Sequence, residues 1–404
     1  MLRSETAVLI DGETGQVLLD KNMNQRMSPA SITKIMTALL ALENGRPDDI
    51  ITMSHDAVFS IGRGTSHIAL DTNETLSLDQ ALYALAIASA NDAANGIAEL
   101  IGGSMENFAL MMTERAREAG AFDTNFANAH GLTDSSHYTT AYDMAMITRE
   151  AIKNPRFNEI FSSAYYEIPP TNKQPKTRFL RSTNALLSGK YKYGGIIATK
   201  TGWTTDSQST LVAAAERNGR KLIAVALKSV NPDDKWEDIT LLFDYGFDEF
   251  IKLEFTSDEI LDGYYHTAGT KENNLNISSP FNERFSCLVY KGLTKDDINI
   301  EYFPGRERSE NEPALKVSFS LGEEYSDFMF TSLGGIELKI NSGTNNIVTE
   351  ISESSQEHGN KALYTALSIL GAVALIFILS AYRSYKIKQY RRYRRRYGYK
   401  RRKY

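Results

Sequence analysis

The chain predicts a mixed α/β domain, an antiparallel sheet with flanking helices, followed by a small β-sandwich and one transmembrane helix. Three observations carry this reading. Over residues 1–250 capped apolar helices alternate with short strands. Over residues 251–345 helical periodicity fades and strand alternation takes over. Residues 362–382 then run for 21 positions without a charge or a proline. A length of 404 residues accommodates this organisation and excludes a small stapled scaffold.

The first domain opens on a hairpin, with Ala7–Ile10 and Val17–Leu19 joined through Asp11-Gly12-Glu13-Thr14-Gly15. A helix start follows, Ser28 as N-cap and Pro29 as first helical residue, with Ile32, Ile35, Met36, Leu39 and Leu40 on one stripe. Ser77 and Gln80 have capping-box spacing ahead of Leu82, Leu85 and Ala86. Ser104 opens another helix, whose Phe108, Met111 and Met112 read as core and whose end is marked by Gly120. From Ile196 to Leu227 the pattern becomes strand, with Asn218-Gly219 between two apolar runs, and Glu237–Phe243 reads as helix. In the second domain, Leu315–Phe319 and Ile336–Ile340 alternate cleanly, which suits a sandwich. Residues 346–361, rich in Ser, Asn and Glu, read as a solvated linker.

A helix of 21 residues spans about 30 Å, the thickness of a bilayer's hydrocarbon core. Beyond it, residues 383–404 carry twelve Lys and Arg and no acid. The net charge of −5 therefore hides a body, residues 1–382, at −17. Such a body argues against nucleic acid as a ligand. The positive-inside rule keeps the basic tail in the cytoplasm and residues 1–361 outside. Tyr382, Tyr385, Tyr390 and Tyr393 suit a belt on anionic lipid. Export of the N-terminal domain calls for a signal peptide, which MLRSETAVLI does not contain, so the expectation is a mature, trimmed or engineered start. A single cysteine, Cys287, leaves the redox compartment open.

Three short patterns could carry chemistry. Ser31 and Lys34, three apart on one helical face, offer a hydroxyl and an amine that, shielded from water near another cation, can act as its base. Alone the pair means little, because about one or two such matches are expected by chance in a chain this long. Ser89-Ala90-Asn91 places a hydroxyl and an amide at a break between two apolar helices. Ser182-Thr183-Asn184 matches it equally well and reads as an ordinary surface turn. Lys200-Thr201-Gly202 offers a cation and a hydroxyl for a carboxylate, with a glycine where a substrate backbone could approach. His130 and His137, seven apart, match no metal-ligand spacing, so neither metal nor cofactor is expected.

In this order S-x-x-K, S-x-N and K-T-G resemble the signature of penicillin-recognising serine transferases, the β-lactamase-like fold. The strings PASITKIMTALLALE, SANDAANGIAE, NAHGLTDSSHYTTAYDMA and ATKTGWT are similar to the low-molecular-mass D-alanyl-D-alanine carboxypeptidases of bacteria, well over residues 5–250 and more loosely beyond. The resemblance implies that Ser31 is acylated, Lys34 is its base and Ser89 passes the proton to the departing D-alanine. It implies substrate binding by Asn91, Lys200, Thr201 and Gly202, with the N–H of Trp203 completing an oxyanion site. Peptidoglycan stem peptide is then the substrate, β-lactams are inhibitors, and the bacterial cell membrane is the location.

Two departures stand out. Ser207-Gln208 replaces a common Ala-Gly pair, and Lys235 stands where the family often has an arginine, turning a bidentate fork into a point charge. They keep a second expectation open, a wall-binding or morphogenetic scaffold with a decayed site. A β-lactamase is less favoured, because no glutamate loop is evident to activate a deacylating water.

Overall fold

The computed structural model describes residues 2–62, 64–268, 284–304, 314–326 and 330–339. They fall into two compact units. One comprises Leu2–Lys252 with Leu288–Gly292; the other takes in Leu253–Cys287 and the chain from Leu293. The apolar segment 362–382, the linker 346–361 and the basic tail lie outside the described residues. Among the described residues no helix is long and apolar enough to cross a membrane.

In chain order the first unit contains strands β1 (Thr6–Asp11) and β2 (Val17–Lys21), a 3-10 turn over Ala30–Thr33, and helix α1 (Lys34–Asn44). Next come β3 (Ile50–Thr52), α2 (His55–Phe59), β4 (Thr75–Ser77), α3 (Leu78–Ile87), α4 (Asn91–Gly102) and α5 (Met105–Glu118). Helices α6 (Ala141–Ala151) and α7 (Pro155–Phe161) and the hairpin β5 (Tyr165–Ile168) with β6 (Arg178–Arg181) follow. Strands β7 (Ile196–Thr204), β8 (Gln208–Arg217) and β9 (Arg220–Ser229) and helix α8 (Asp234–Glu249) complete it.

The central sheet is antiparallel in the order β2-β1-β9-β8-β7, so β7 is an edge. Both faces are covered. Val8, Ile10, Val212, Ile223 and Val225 join the main core with Ile35 and Met36 of α1 and residues of α3, α4 and α6. On the opposite face α8 lies so close that a Cβ on Gly246 would meet Leu9 and Leu222. That double burial explains the nearly unbroken apolar runs of β8 and β9, each buried Leu, Ile or Val side chain contributing about 1.5–3 kcal/mol.

Local signals hold where their partners are local. The Ser77–Gln80 capping box forms in both directions. Ser104 caps α5 through the N–H of Asn107, and Asn218 and Gly219 turn β8 into β9 at φ +54° and +75°. The start of α1 is a correction. Ser28 does not cap it; the preceding residues form a 3-10 turn and the α-helix begins only at Lys34. The cause is tertiary: Thr210 Oγ1 donates to the Pro29 carbonyl at 3.0 Å and holds the turn against the sheet.

In the second unit β10 (Ile298–Pro304), β11 (Ala314–Leu321) and β12 (Ser332–Lys339) make a three-stranded antiparallel sheet, with Val317 opposite Ile336. Phe285 stacks on Phe319 at 3.8 Å and Phe255 tilts against it at 5.1 Å. A helix, α9 (Ser257–Ala268), stands where only strand was expected.

Candidate active site

Ser31 lies within the 3-10 turn, directly after Ala30 at φ +52°, a left-handed conformation that costs an alanine roughly 1 kcal/mol or more. Packing imposes it. A Cβ on Gly131 would lie 1.9 Å from the Ala30 carbonyl, and one on Gly202 would lie 2.8 Å from the Ser31 nitrogen. Glycine at these two positions lets the neighbouring backbones close on the turn. Thr33 Oγ1 donates to the Ala30 carbonyl at 2.8 Å and also meets His137 Nε2 at 2.8 Å. His137 Nδ1 accepts from Ala127 N–H at 3.1 Å, so this imidazole is a neutral brace, and burial drops its pKa to about 4.

Lys34, the first residue of α1, is fully buried. Its Nζ lies 3.1 Å from Ser31 Oγ, 2.7 Å from Asn91 Oδ1 and 2.6 Å from the His130 carbonyl. Loss of water first, and then the nearby Lys200 charge, hold its pKa well below the usual lysine range; Asp92 opposes them. In a neutral amine two N–H bonds serve the amide and the carbonyl. The lone pair is left facing the hydroxyl, as a base requires.

The second lysine arrives from the sheet. Lys200 on β7 donates to Ser89 Oγ at 3.0 Å and to the Thr201 carbonyl at 2.8 Å. Burial alone drops its pKa to about 7. Ser89 sits between α3 and α4 at φ +56°, and Asn91 begins α4. Ser31, Lys34 and Asn91 are therefore joined by hydrogen bonds, Lys200 and Ser89 by another, and the five form a polar array drawn from three separate segments in which the Lys200 charge acts on Lys34.

The array opens into a cleft of ≈ 780 Å3, lined also by Thr201, Gly202, Trp203 and Lys235. Trp203 is 63% exposed at its rim. Lys235 Nζ donates to the Pro232 carbonyl at 2.8 Å and to Ser209 Oγ at 3.3 Å, and lies 4.8 Å from the Trp236 ring centroid. Burial lowers its pKa. Ser207 is absorbed by the β7–β8 turn: its hydroxyl accepts from Thr204 N–H at 2.9 Å and donates to the Gln208 carbonyl at 3.0 Å.

Three features escaped the sequence reading. Ser182-Thr183-Asn184 lines the cleft instead of forming an ordinary surface turn, and Asn184 Nδ2 donates to Thr199 Oγ1 at 2.9 Å. Asp92 is buried, accepts from Leu70 N–H at 3.1 Å and Ile68 N–H at 3.2 Å, and so ties the 66–70 segment to α4. The His130 carbonyl serves Lys34, a backbone role without a side-chain signal.

A family model described as D-alanyl-D-alanine carboxypeptidase (peptidase S11) matches residues 1–231. The chain is 37% identical over 253 residues to D-alanyl-D-alanine carboxypeptidase DacF of Bacillus subtilis (strain 168), covering 61% of this chain and 63% of that protein. Over 246 residues it is 29% identical to the D-alanyl-D-alanine carboxypeptidase of Streptomyces sp. (strain K15), covering 58% and 84%. Among solved structures, a serine-to-alanine mutant of the Streptomyces K15 DD-transpeptidase superposes with TM-score 0.58 at 28% identity, covering 61% of this chain and 99% of that one. The D-alanyl-D-alanine carboxypeptidase DacD of Francisella tularensis shares the fold over 85% of this chain and 94% of its own, with TM-score 0.62 at 20% identity. The chain spans 63% of the length of the Bacillus relative. With more than half of its length matched by the family model, the chain belongs to the D-alanyl-D-alanine carboxypeptidase family, peptidase S11.

Proposed function

We propose that this chain is a serine-type D-Ala-D-Ala carboxypeptidase, removing the terminal D-alanine from peptidoglycan stem pentapeptides through an acyl-enzyme on Ser31. The observation that carries the reading is the buried Lys34 amine, 3.1 Å from Ser31 Oγ, with its other contacts taken by two acceptors. Neutral Lys34 takes the Ser31 proton as the oxygen attacks the carbonyl between the two D-alanines. The N–H groups of Ser31 and Trp203 stabilise the oxyanion, where charge develops only in the transition state. Ser89 relays the proton from Lys34 to the leaving amine, and D-alanine departs. Water, deprotonated by Lys34, then attacks the ester, and Lys34 returns that proton to Ser31 Oγ as the shortened peptide leaves with its new carboxylate.

Lys200 and Thr201 hold the terminal carboxylate, Asn91 a peptide carbonyl, and Lys235 adds a second cation to the same cleft. A β-lactam acylates the same serine and stays. The direct test is D-alanine release from a synthetic pentapeptide. A folded protein that releases none overturns the reading and leaves the scaffold alternative.

A pH profile tests the carboxylate anchor. Lys200 is protonated below about 7 and neutral above it. The expected kcat/KM therefore falls by about tenfold per pH unit on the alkaline side of that value, since kcat/KM reports the free enzyme. Lys200→Arg, which keeps its charge, moves this limb to higher pH. A limb that stays in place assigns it to another group.

Residues 362–382 are proposed as a single membrane span with the basic tail in the cytoplasm and the catalytic unit outside the bacterial cell, where its substrate lies. The support is the uncharged 21-residue run and the twelve positive charges beyond it. Truncation after Glu350 is expected to release a soluble, active ectodomain. Retention in the membrane fraction would refute the anchor.

A further inference from the structure

We infer that Asp206, at the apex of the β7–β8 turn, forms a subsite for a primary ammonium on the side chain of the stem peptide's third residue, the one preceding the two D-alanines. This rests on the carboxypeptidase reading, which sets the end of the peptide that meets Lys200.

Charge distribution is the first observation. Among the described residues lining the cleft three are charged: Lys200 and Lys235, both buried, and Asp206, exposed at the lip. A body of net −17 thus shows its cleft a single carboxylate. Some other exposed acids on this unit are matched by bases: Glu5 by Lys228, Asp123 by Arg26, Asp248 by Arg217. Asp206 has no hydrogen bond or ion pair of its side chain among the described residues.

The second observation is that the turn carrying it is built. Thr204 and Ser207 exchange three hydrogen bonds of 2.8–3.0 Å. Gln208 sits at φ +49° and its Nε2 donates to the Thr205 carbonyl. The departure Ser207-Gln208 therefore fixes the two apex residues between them.

Length is the third. β7 is the sheet edge, so an extended peptide can lie along it. Along the strand the carboxylate site at Lys200 and Thr201 comes first, then the Trp203 N–H opposite the scissile carbonyl. Asp206 lies three residues further, at most about 10 Å at about 3.3 Å per residue. On the peptide, one Cα–Cα step of about 3.8 Å back from the penultimate D-alanine reaches the third residue. A lysine-length side chain adds about 6 Å, at bond lengths near 1.5 Å. Both spans are upper limits of about 10 Å, so such a side chain is long enough for its ammonium to reach the carboxylate.

Lysine and 2,6-diaminopimelate share this ammonium, the latter with a carboxylate beside it. The test compares D-alanine release from pentapeptides bearing lysine, Nε-acetyl-lysine or diaminopimelate at the third position. Expected is a kcat/KM about 2- to 5-fold higher for lysine than for acetyl-lysine, the range of an exposed ion pair, shrinking at about 0.5 M salt. The ratio falls to one in Asp206→Asn, persists in Asp206→Glu and inverts in Asp206→Lys. The diaminopimelate peptide shows which source of the ammonium is taken faster. A wild-type ratio of one, or a ratio unmoved by Asp206→Asn, overturns the subsite. If no peptide releases D-alanine, the hydrolytic reading fails by itself. The ratio is then read from acylation of Ser31 by penicillins whose acyl chain ends in a free or an acetylated amine. There too, indifference to Asp206→Asn overturns the proposal.

Discussion

Ser31→Ala is expected to abolish covalent labelling by a fluorescent penicillin and to lower D-alanine release by on the order of 10^4-fold or more, the scale on which a catalytic nucleophile matters. Both readouts depend on one oxygen, the hydroxyl 3.1 Å from the Lys34 amine. The fold should not notice. Ser31 Oγ has Lys34 Nζ as its hydrogen-bond partner, and the turn is held by Thr33, Thr210 and the close approach of Gly202. Thermal unfolding is expected to shift by no more than a mild substitution would, within about 0.5 kcal/mol. Labelling that survives in Ser31→Ala would move the nucleophile elsewhere, with Ser89 the first candidate.

Lys34→Arg is the second large effect, and it separates a base from a mere cation. Arginine keeps the positive charge but does not deprotonate in a protein, so it cannot receive the serine proton. Acylation by penicillin is expected to slow by about 10^2- to 10^4-fold, the usual worth of a positioned general base. Lys34→Ala should be at least as slow. The wild-type acid limb tracks protonation of Lys34, which burial and Lys200 have pushed well below the ordinary lysine range. Activity should therefore persist to lower pH than an ordinary lysine would permit. An arginine variant retaining most of the wild-type rate would show that Lys34 acts through charge alone.

What was legible in the chain follows the range of the forces involved. Ser77 with Gln80, Ser104 with Asn107 and the Asn218-Gly219 turn involve partners within three residues, and each forms as read. Ser28 failed as a cap because the segment after it is shaped by Thr210 and His137, 181 residues beyond Pro29 and 104 beyond Thr33. Spacing put Ser31 and Lys34 on one face. Nothing in composition or periodicity brought Ser89 or Lys200 to them; only the resemblance did. The same limit misplaced Ser182-Thr183-Asn184, whose context reads as a turn and whose position in space is a cleft wall. Helix α9 was missed because its sequence, SDEILDGYYHTA, has a glycine at its centre and little apolar content overall.

The polar array has a kinetic consequence. Its bonds close loops of very different lengths: Lys34 to Asn91 spans 57 residues, Lys34 to His130 spans 96, and Lys200 to Ser89 spans 111. Contacts so distant along the polymer form late, after the loop-closing entropy has been met by the sheet and its packing. A partly folded molecule can hold helices and even strands without holding a reactive serine. Penicillin capture during refolding therefore times the last step of assembly, and should lag behind the appearance of helical circular dichroism.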